Sequence, residues 1–401
     1  MLRLATTENE ARFHHYASVI QDPRFEWLGQ IHQPFTDENL SGVDGLIVSD
    51  EYYITSRLAI DACKRRGIGT FHIVDGILEW RNLFDNPRST ESLHGTPLFQ
   101  PLIADLTFAM GSLQKRTMQW LAAENQHIMA SGLPRLDWIA AAERKTQTRK
   151  SKKLLFATAN TPWFNQQQQV TFCREFMTIR SQLETLLEHR FEPWSCQWRV
   201  AEVVAQEFDL STQKETELER VLTTCDALIT TPSTLAVEAM LCGIPTMVFD
   251  PYASPIFTPS AWHATSASTV FQLLPSLLEP CERRLALQAN LLESITPTDG
   301  LASERVVNAI ESFLQSDNRN DELHRIQTHQ QTSQVPSLSS ESVSKADLLC
   351  AYYNIPSLDV TIAEQGERIR ELEQQIAAPS LRQGVGAMVR ALTSRPPRQQ
   401  Y

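Results

Sequence analysis

Glycine is scarce in this chain: 14 residues in 401, about half the usual share. Phosphate-cradling loops are commonly built from glycine, so few such loops are open to this chain. Gly67 and Gly69 open a G-x-G whose third place is His72, and Gly384 and Gly386 open another whose third place is Val389. No glycine is followed five residues later by Gly-Lys. The dinucleotide fingerprint and the P-loop are therefore both excluded. The seven cysteines form no C-x-x-C pair, which fits reduced thiols in a cytoplasmic chain. No apolar run approaches the ~18 residues that span a bilayer, and MLRLATTENEAR has no apolar secretory core. H-E-x-x-H is missing, and no D-x-D follows a strand, so no metal site is expected. Basic charge is in deficit too. The net charge of −11 argues against a nucleic-acid partner.

What is present is an alternation of strands and helices. DGLIVSD (44–50) and GTFHIVDG (69–76) read as buried strands around a helix over 52–67, with further strands at 1–7, 105–111 and 126–132. Residues 8–21 read as a helix. A second series follows the charged segment 141–153: strands at 153–159, 226–231 and 244–250, helices at about 166–189 and 233–243, and two or three amphipathic helices over 268–313. Such β-α-β alternation implies parallel sheets with right-handed crossovers. The expected organisation is an N-terminal α/β domain over 1–145, a second over 146–315, a polar linker over 316–345 and a tail over 346–401. Within the tail, Leu358, Ile362, Ile369, Leu372 and Ile376 sketch two to three heptads, a short coiled coil suited to self-association. Residues 380–401 carry Arg382, Arg390, Arg395 and Arg398 and no acid. This end is either a disordered basic tail or a peripheral contact with anionic lipid at the inner membrane face.

The segment richest in chemistry is Asp226–Asp250, DALITTPSTLAVEAMLCGIPTMVFD. A strand delivers the chain to Thr230-Thr231-Pro232-Ser233-Thr234, where a helix begins at once. Ser233 or Thr234 is placed to cap it, and its free N–H groups suit a phosphate without any glycine loop. The hydroxyls of Thr231, Ser233 and Thr234 add donors for a diphosphate. Glu238, one turn on, offers two acceptor oxygens to a ribose diol. Gly243-Ile244-Pro245 makes the return to the next strand.

P-S-T-x-x-x-E-A-M-x-x-G-x-P after a D-x-L-I-T strand resembles the nucleotide-sugar half of GT-B glycosyltransferases. It is also similar to CDP-glycerol glycerophosphotransferases and to non-hydrolysing UDP-sugar 2-epimerases. Asp299–Arg305 and Gly132–Asp137 resemble further stretches, D-G-x-A-x-x-R and G-x-P-R-x-D, of the same group. The resemblance implies two Rossmann-like domains facing across a cleft. It implies that Ser233 and Thr234 meet the donor diphosphate and Glu238 the ribose. Arg135 is placed to neutralise phosphate or, equally, to pair with Asp137.

In the facing half, Asp75 is the first choice for the base that takes the acceptor's proton, with Glu79 and His72 behind it. Asp75-Gly76 is also an ordinary turn pair. Asp50-Glu51 and the loop His94 are weaker candidates, and Trp262-His263 either lines the base pocket or packs. The expected activity is metal-independent transfer of a sugar from a nucleotide-sugar donor to a glycan or lipid-linked acceptor in surface polysaccharide synthesis, with no cofactor. Sugar-nucleotide epimerisation, glycerophosphate transfer and a degenerate non-catalytic GT-B module are the alternatives.

Overall fold

The structure is a computed structural model, and it describes residues 1–87, 99, 101–121, 127–141, 151–191, 193–210, 221–252 and 254–328. Two fully parallel sheets form its framework. The first takes β1 (Leu2–Thr6), β2 (Phe25–Gln30), β3 (Gly45–Val48), β4 (Gly69–Ile73), β5 (Leu106–Ala109) and β6 (Ile128–Ala130), in the order β2-β1-β3-β4-β5-β6. The second takes β7 (Lys152–Ala157), β8 (Trp194–Arg199), β9 (Ala227–Thr230), β10 (Thr246–Phe249) and β11 (Trp262–Ala264), in the order β11-β10-β9-β7-β8. The central strands are buried along their whole length. Apolar cover on both faces is what a parallel sheet needs, and it explains why GLIV, ALIT and TMVF are nearly continuous apolar runs.

Both sheets reverse direction of growth once, between β1 and β3 and between β7 and β9. At such a switch point the flanking connections leave to opposite faces and open a crevice at the carboxyl ends of the strands.

Of the departures from the sequence reading, three matter most. Residues 8–21 are not one helix. A 3-10 turn, Glu10–His15, precedes a four-residue helix, Ala17–Ile20. The edge strand β2 is unannounced, because an edge position with one solvated side tolerates the glutamate and glycine of FEWLGQ. The third concerns the domain boundaries. Helix Ala302–Gln315, expected with the second domain, crosses back. Its Val306, Val307, Ile310 and Phe313 pack with Leu4, Ile47, Phe71 and Ile73 of the first sheet. The supposed linker begins as a helix, Arg319–Thr328, whose Leu323 and Ile326 join that same core. Two apolar residues three apart suffice to dock a short polar helix whose composition reads as a linker. The coiled-coil and basic-tail expectations fall on residues outside those described, as does His94. Among the described residues, no helix is long and apolar enough to cross a membrane.

Candidate functional site

Strand β9 ends at Thr230, and its continuation binds the neighbouring strand end across the second switch point. Thr231 Oγ1 accepts from Ala159 N at 2.7 Å. Ser233 is extended at the N-cap of helix Thr234–Leu241, but its side chain makes no capping hydrogen bond. Its Oγ lies 3.2 Å from Thr230 Oγ1 instead. Thr234 Oγ1 accepts from Ile77 N at 3.1 Å, so the first domain's β4 loop rests directly on this helix terminus. Gly76 permits that approach: a Cβ there would run into Thr234 Oγ1. The three hydroxyls expected to face a diphosphate are therefore engaged with the protein in this closed arrangement. Gly243 ends the helix at φ +65°, which glycine adopts without strain.

Glu238 is buried in the second turn, and its Oε1 pairs with Arg135 Nη1 at 2.5 Å. Arg135 comes from the turn Pro134–Leu136 of the first domain, so the pair joins the two domains. Its Nε and Nη2 also reach the Asp75 carbonyl, at 3.4 and 3.3 Å. Asp137 is not its partner. That carboxylate caps helix Ala302–Gln315, accepting from Ala302 N at 2.9 Å and Ser303 N at 2.7 Å. Arg305 in turn pairs with Asp299 and donates to the Ser131 carbonyl. The G-x-P-R-x-D and D-G-x-A-x-x-R stretches thus meet each other. Together they fix the chain's return to the first domain and set the position of Arg135. Arg199, at the end of β8, feels the charge of Glu238, while burial pushes its pKa below the usual value.

On the first domain's side, Asp75 is half exposed and lies 3.3 Å from Arg12. Arg12 also lies 3.6 Å from Asp50 and donates to Ser49 Oγ. Burial pushes Asp50 up to about 7, against the opposing pull of Arg12. Glu8, directly after β1, closes the first switch point by accepting from Ser49 N at 2.6 Å. Burial drives His15 down to about 3, with His14, Arg135 and Arg12 adding repulsion, so its ring is neutral at neutral pH.

The remaining candidates lie elsewhere. His72 is fully buried on β4, its ring stacked with Phe99 and its Nδ1 3.4 Å from Glu51. Glu51 accepts from Ile103 N and Ala104 N. These two hold the first domain together rather than facing the second. Trp262 is a core residue whose indole N–H donates to Ser276. Glu79 pairs with buried Arg81 and lines a small cavity at the domain junction, with Asp250, His263, Trp80 and Pro232. Burial pushes Glu79 up to about 7, with Arg81 opposing and Asp250 adding repulsion. Burial also lowers His263. Among the described residues, no group of three or more His, Cys, Asp or Glu is placed to hold a metal ion.

Glu8, Arg12, Ser49 and Arg199 were not singled out from sequence. The signal for Glu8 and Ser49 was their position just past strand ends. Arg199 sat in a stretch, FEPWSCQWRVAEVV, that reads equally as strand or helix.

No family model matches the chain, and no curated protein matches it. Solved structures do. A Listeria monocytogenes protein assigned as a UDP-N-acetylglucosamine 2-epimerase is 13% identical with a TM-score of 0.57, over 79% of this chain and 97% of its own. S. aureus MnaA in its UDP co-structure is 15% identical at 0.53, over 78% and 97%. A variant of the wall teichoic acid polymerase TagF is 12% identical at 0.51, over 78% and 89%. What these share with the present chain is architecture: two doubly wound α/β domains facing each other, the GT-B fold.

Proposed function

We propose that the chain is a glycosyltransferase that moves a sugar from a nucleotide-activated donor to a glycan or lipid-linked acceptor. One observation carries this reading. Glu238, Arg135 and Arg199 converge beside the N-terminus of helix Thr234–Leu241, at the switch point of the second sheet. That combination supplies a carboxylate for a ribose diol and guanidinium groups for a diphosphate. The names of the similar structures, a UDP co-structure among them, support a nucleotide-linked donor. Donor entry requires the Ile77 N–H to leave Thr234, so the domains part to bind and close to react. In the reaction the acceptor hydroxyl attacks the anomeric carbon and the bond to the diphosphate breaks. Asp75, half exposed beside Arg12, takes the acceptor proton. The helix terminus and Arg135 stabilise the departing nucleoside diphosphate.

A second reading, sugar-nucleotide 2-epimerisation, is favoured by the cavity where Glu79, Asp250 and His263 meet. Glu79, which burial holds near 7, beside a second carboxylate and an imidazole suits proton exchange at a sugar carbon.

Thermal stabilisation by UDP, CDP, GDP and ADP tests the site, since a ligand that binds the native state raises apparent stability. A response lost in Glu238→Ala supports the donor site, and no response to any nucleotide refutes both readings. Product analysis with the matching nucleotide sugar then separates transfer from epimerisation.

A further inference from the structure

We propose that Arg135 is an exchange residue that makes the site select a nucleoside diphosphate over the bare nucleoside: Glu238 holds its guanidinium in the free protein, and the diphosphate takes it over when the ribose claims Glu238. The inference rests on the donor reading given above and adds to it the way the site tells ligand classes apart.

The argument starts from burial. The Glu238 side chain is 4% exposed and the Arg135 side chain 18%. A carboxylate so enclosed needs compensation by an opposite charge or by hydrogen-bond donors. Arg135 supplies it from across the domain junction, through Nη1 alone. Its other donors, Nε and Nη2, reach a single backbone carbonyl at 3.3–3.4 Å, the long end of hydrogen bonding. The guanidinium therefore has one strong partner and a fork that a bidentate anion would use better. Its backbone cannot follow a departing ligand. Pro134 and Leu136 on either side are buried, and Asp137 is locked onto the start of helix Ala302–Gln315.

Two ligand classes meet different costs here. A nucleoside's 2′ and 3′ hydroxyls satisfy Glu238 but strip Arg135 of its partner, leaving a half-buried cation with the Asp75 carbonyl and, among the described residues, no other ion pair. A nucleoside diphosphate satisfies Glu238 in the same way and hands Arg135 two phosphate oxygens. Arg199 stays in the field of Glu238 throughout, on the second domain's own strand. Its pull on a diphosphate is common to the wild type and to the Arg135 variants, so it cancels in the comparison between them.

Removing Arg135 must then act in opposite directions on the two ligands. The test is calorimetric titration of the full chain with matched pairs: uridine and UDP, cytidine and CDP, guanosine and GDP, adenosine and ADP. The pair whose diphosphate binds the wild type is carried into Arg135→Ala and Arg135→Lys. In Arg135→Ala the diphosphate is expected to weaken about tenfold or more, as for a lost charge-assisted hydrogen bond, while the nucleoside binds more tightly. In Arg135→Lys the nucleoside stays as weak as in the wild type, because a cation still occupies Glu238. The diphosphate falls between wild type and Arg135→Ala, because the fork is gone. Equal changes in both ligands, or none, overturn the proposal. Should Arg135→Ala not fold, the lysine variant decides alone, and an unchanged diphosphate-to-nucleoside ratio there overturns it. If no diphosphate binds the wild type, the donor site itself fails and this inference with it. If diphosphates bind and the ratio does not move, only the role of Arg135 fails.

Discussion

The contact between Gly76 and Thr234 offers a direct check on how the two domains meet. An alanine Cβ at position 76 would collide with Thr234 Oγ1, while Thr234 Cβ and Cγ2 would stand at 3.5 and 3.9 Å, ordinary contact distances. The loop cannot slide aside freely. The Gly76 carbonyl accepts from Gln114 at 2.8 Å, and Ile77 N donates to the same Thr234 oxygen at 3.1 Å. Overpacking of this kind costs about 1–3 kcal/mol. Thr234→Ala removes the offending oxygen but leaves the Ile77 N–H without its acceptor, a loss of about 1 kcal/mol or more. The double variant has no collision left. It should cost little more than Thr234→Ala alone, so that the pair is ~1–3 kcal/mol more stable than the sum of the singles. Gly76→Ala with Thr234→Ser keeps the oxygen and should keep the penalty. Two domains need not unfold together, so the suitable assay is hydrogen exchange of segments 74–79 and 231–238. Local opening there should rise about five- to hundredfold in Gly76→Ala and return in the double variant to the level of Thr234→Ala. Strictly additive effects would refute the contact and, with it, the closed arrangement of the domains.

Two further expectations concern stability. Asp50 has a folded pKa of about 7 against 3.8 for the free group. The stability contributed by its protonated form is fully present below about pH 4 and is lost as the pH rises through 7, at up to ~1.4 kcal/mol per pH unit. Between pH 5 and 7 the stability of Asp50→Asn should therefore fall less steeply, or rise more steeply, with pH than that of the wild type, on a common background in which Glu79 contributes a fall and His15 and His263 a rise. Identical slopes in the two proteins would rule out a buried, neutral Asp50. Phe313 is 2% exposed and lies edge-on to Phe71, with ring centroids 5.5 Å apart. Phe313→Ala should cost about 3–5 kcal/mol and raise hydrogen exchange in β3, β4 and β5. A response confined to β7, β9 and β10 would return that helix to the second domain.

Much of this protein was set by sequence alone. Gly-poor strand–turn–helix segments excluded the glycine-built cradles. The apolar runs 45–48, 227–230 and 246–249 specified buried parallel strands, because a strand covered on both faces has no polar side to show. Helix Thr234–Leu241, its Gly243 exit and the position of Glu238 on it were equally legible, since they depend on residues within one or two turns of each other. Partner choice was decided only by the tertiary structure. Whether Arg135 meets Asp137, two residues away, or Glu238, 103 residues away, depends on how two domains close. The amphipathic face of Ala302–Gln315 states that it will be buried, but nothing local states under which sheet. The hydroxyls of Thr231 and Thr234 look free in sequence because their partners, Ala159 N and Ile77 N, are donors that every backbone carries and no sequence pattern marks. Local periodicity encodes which surfaces must be covered, and the three-dimensional meeting of the domains decides by what.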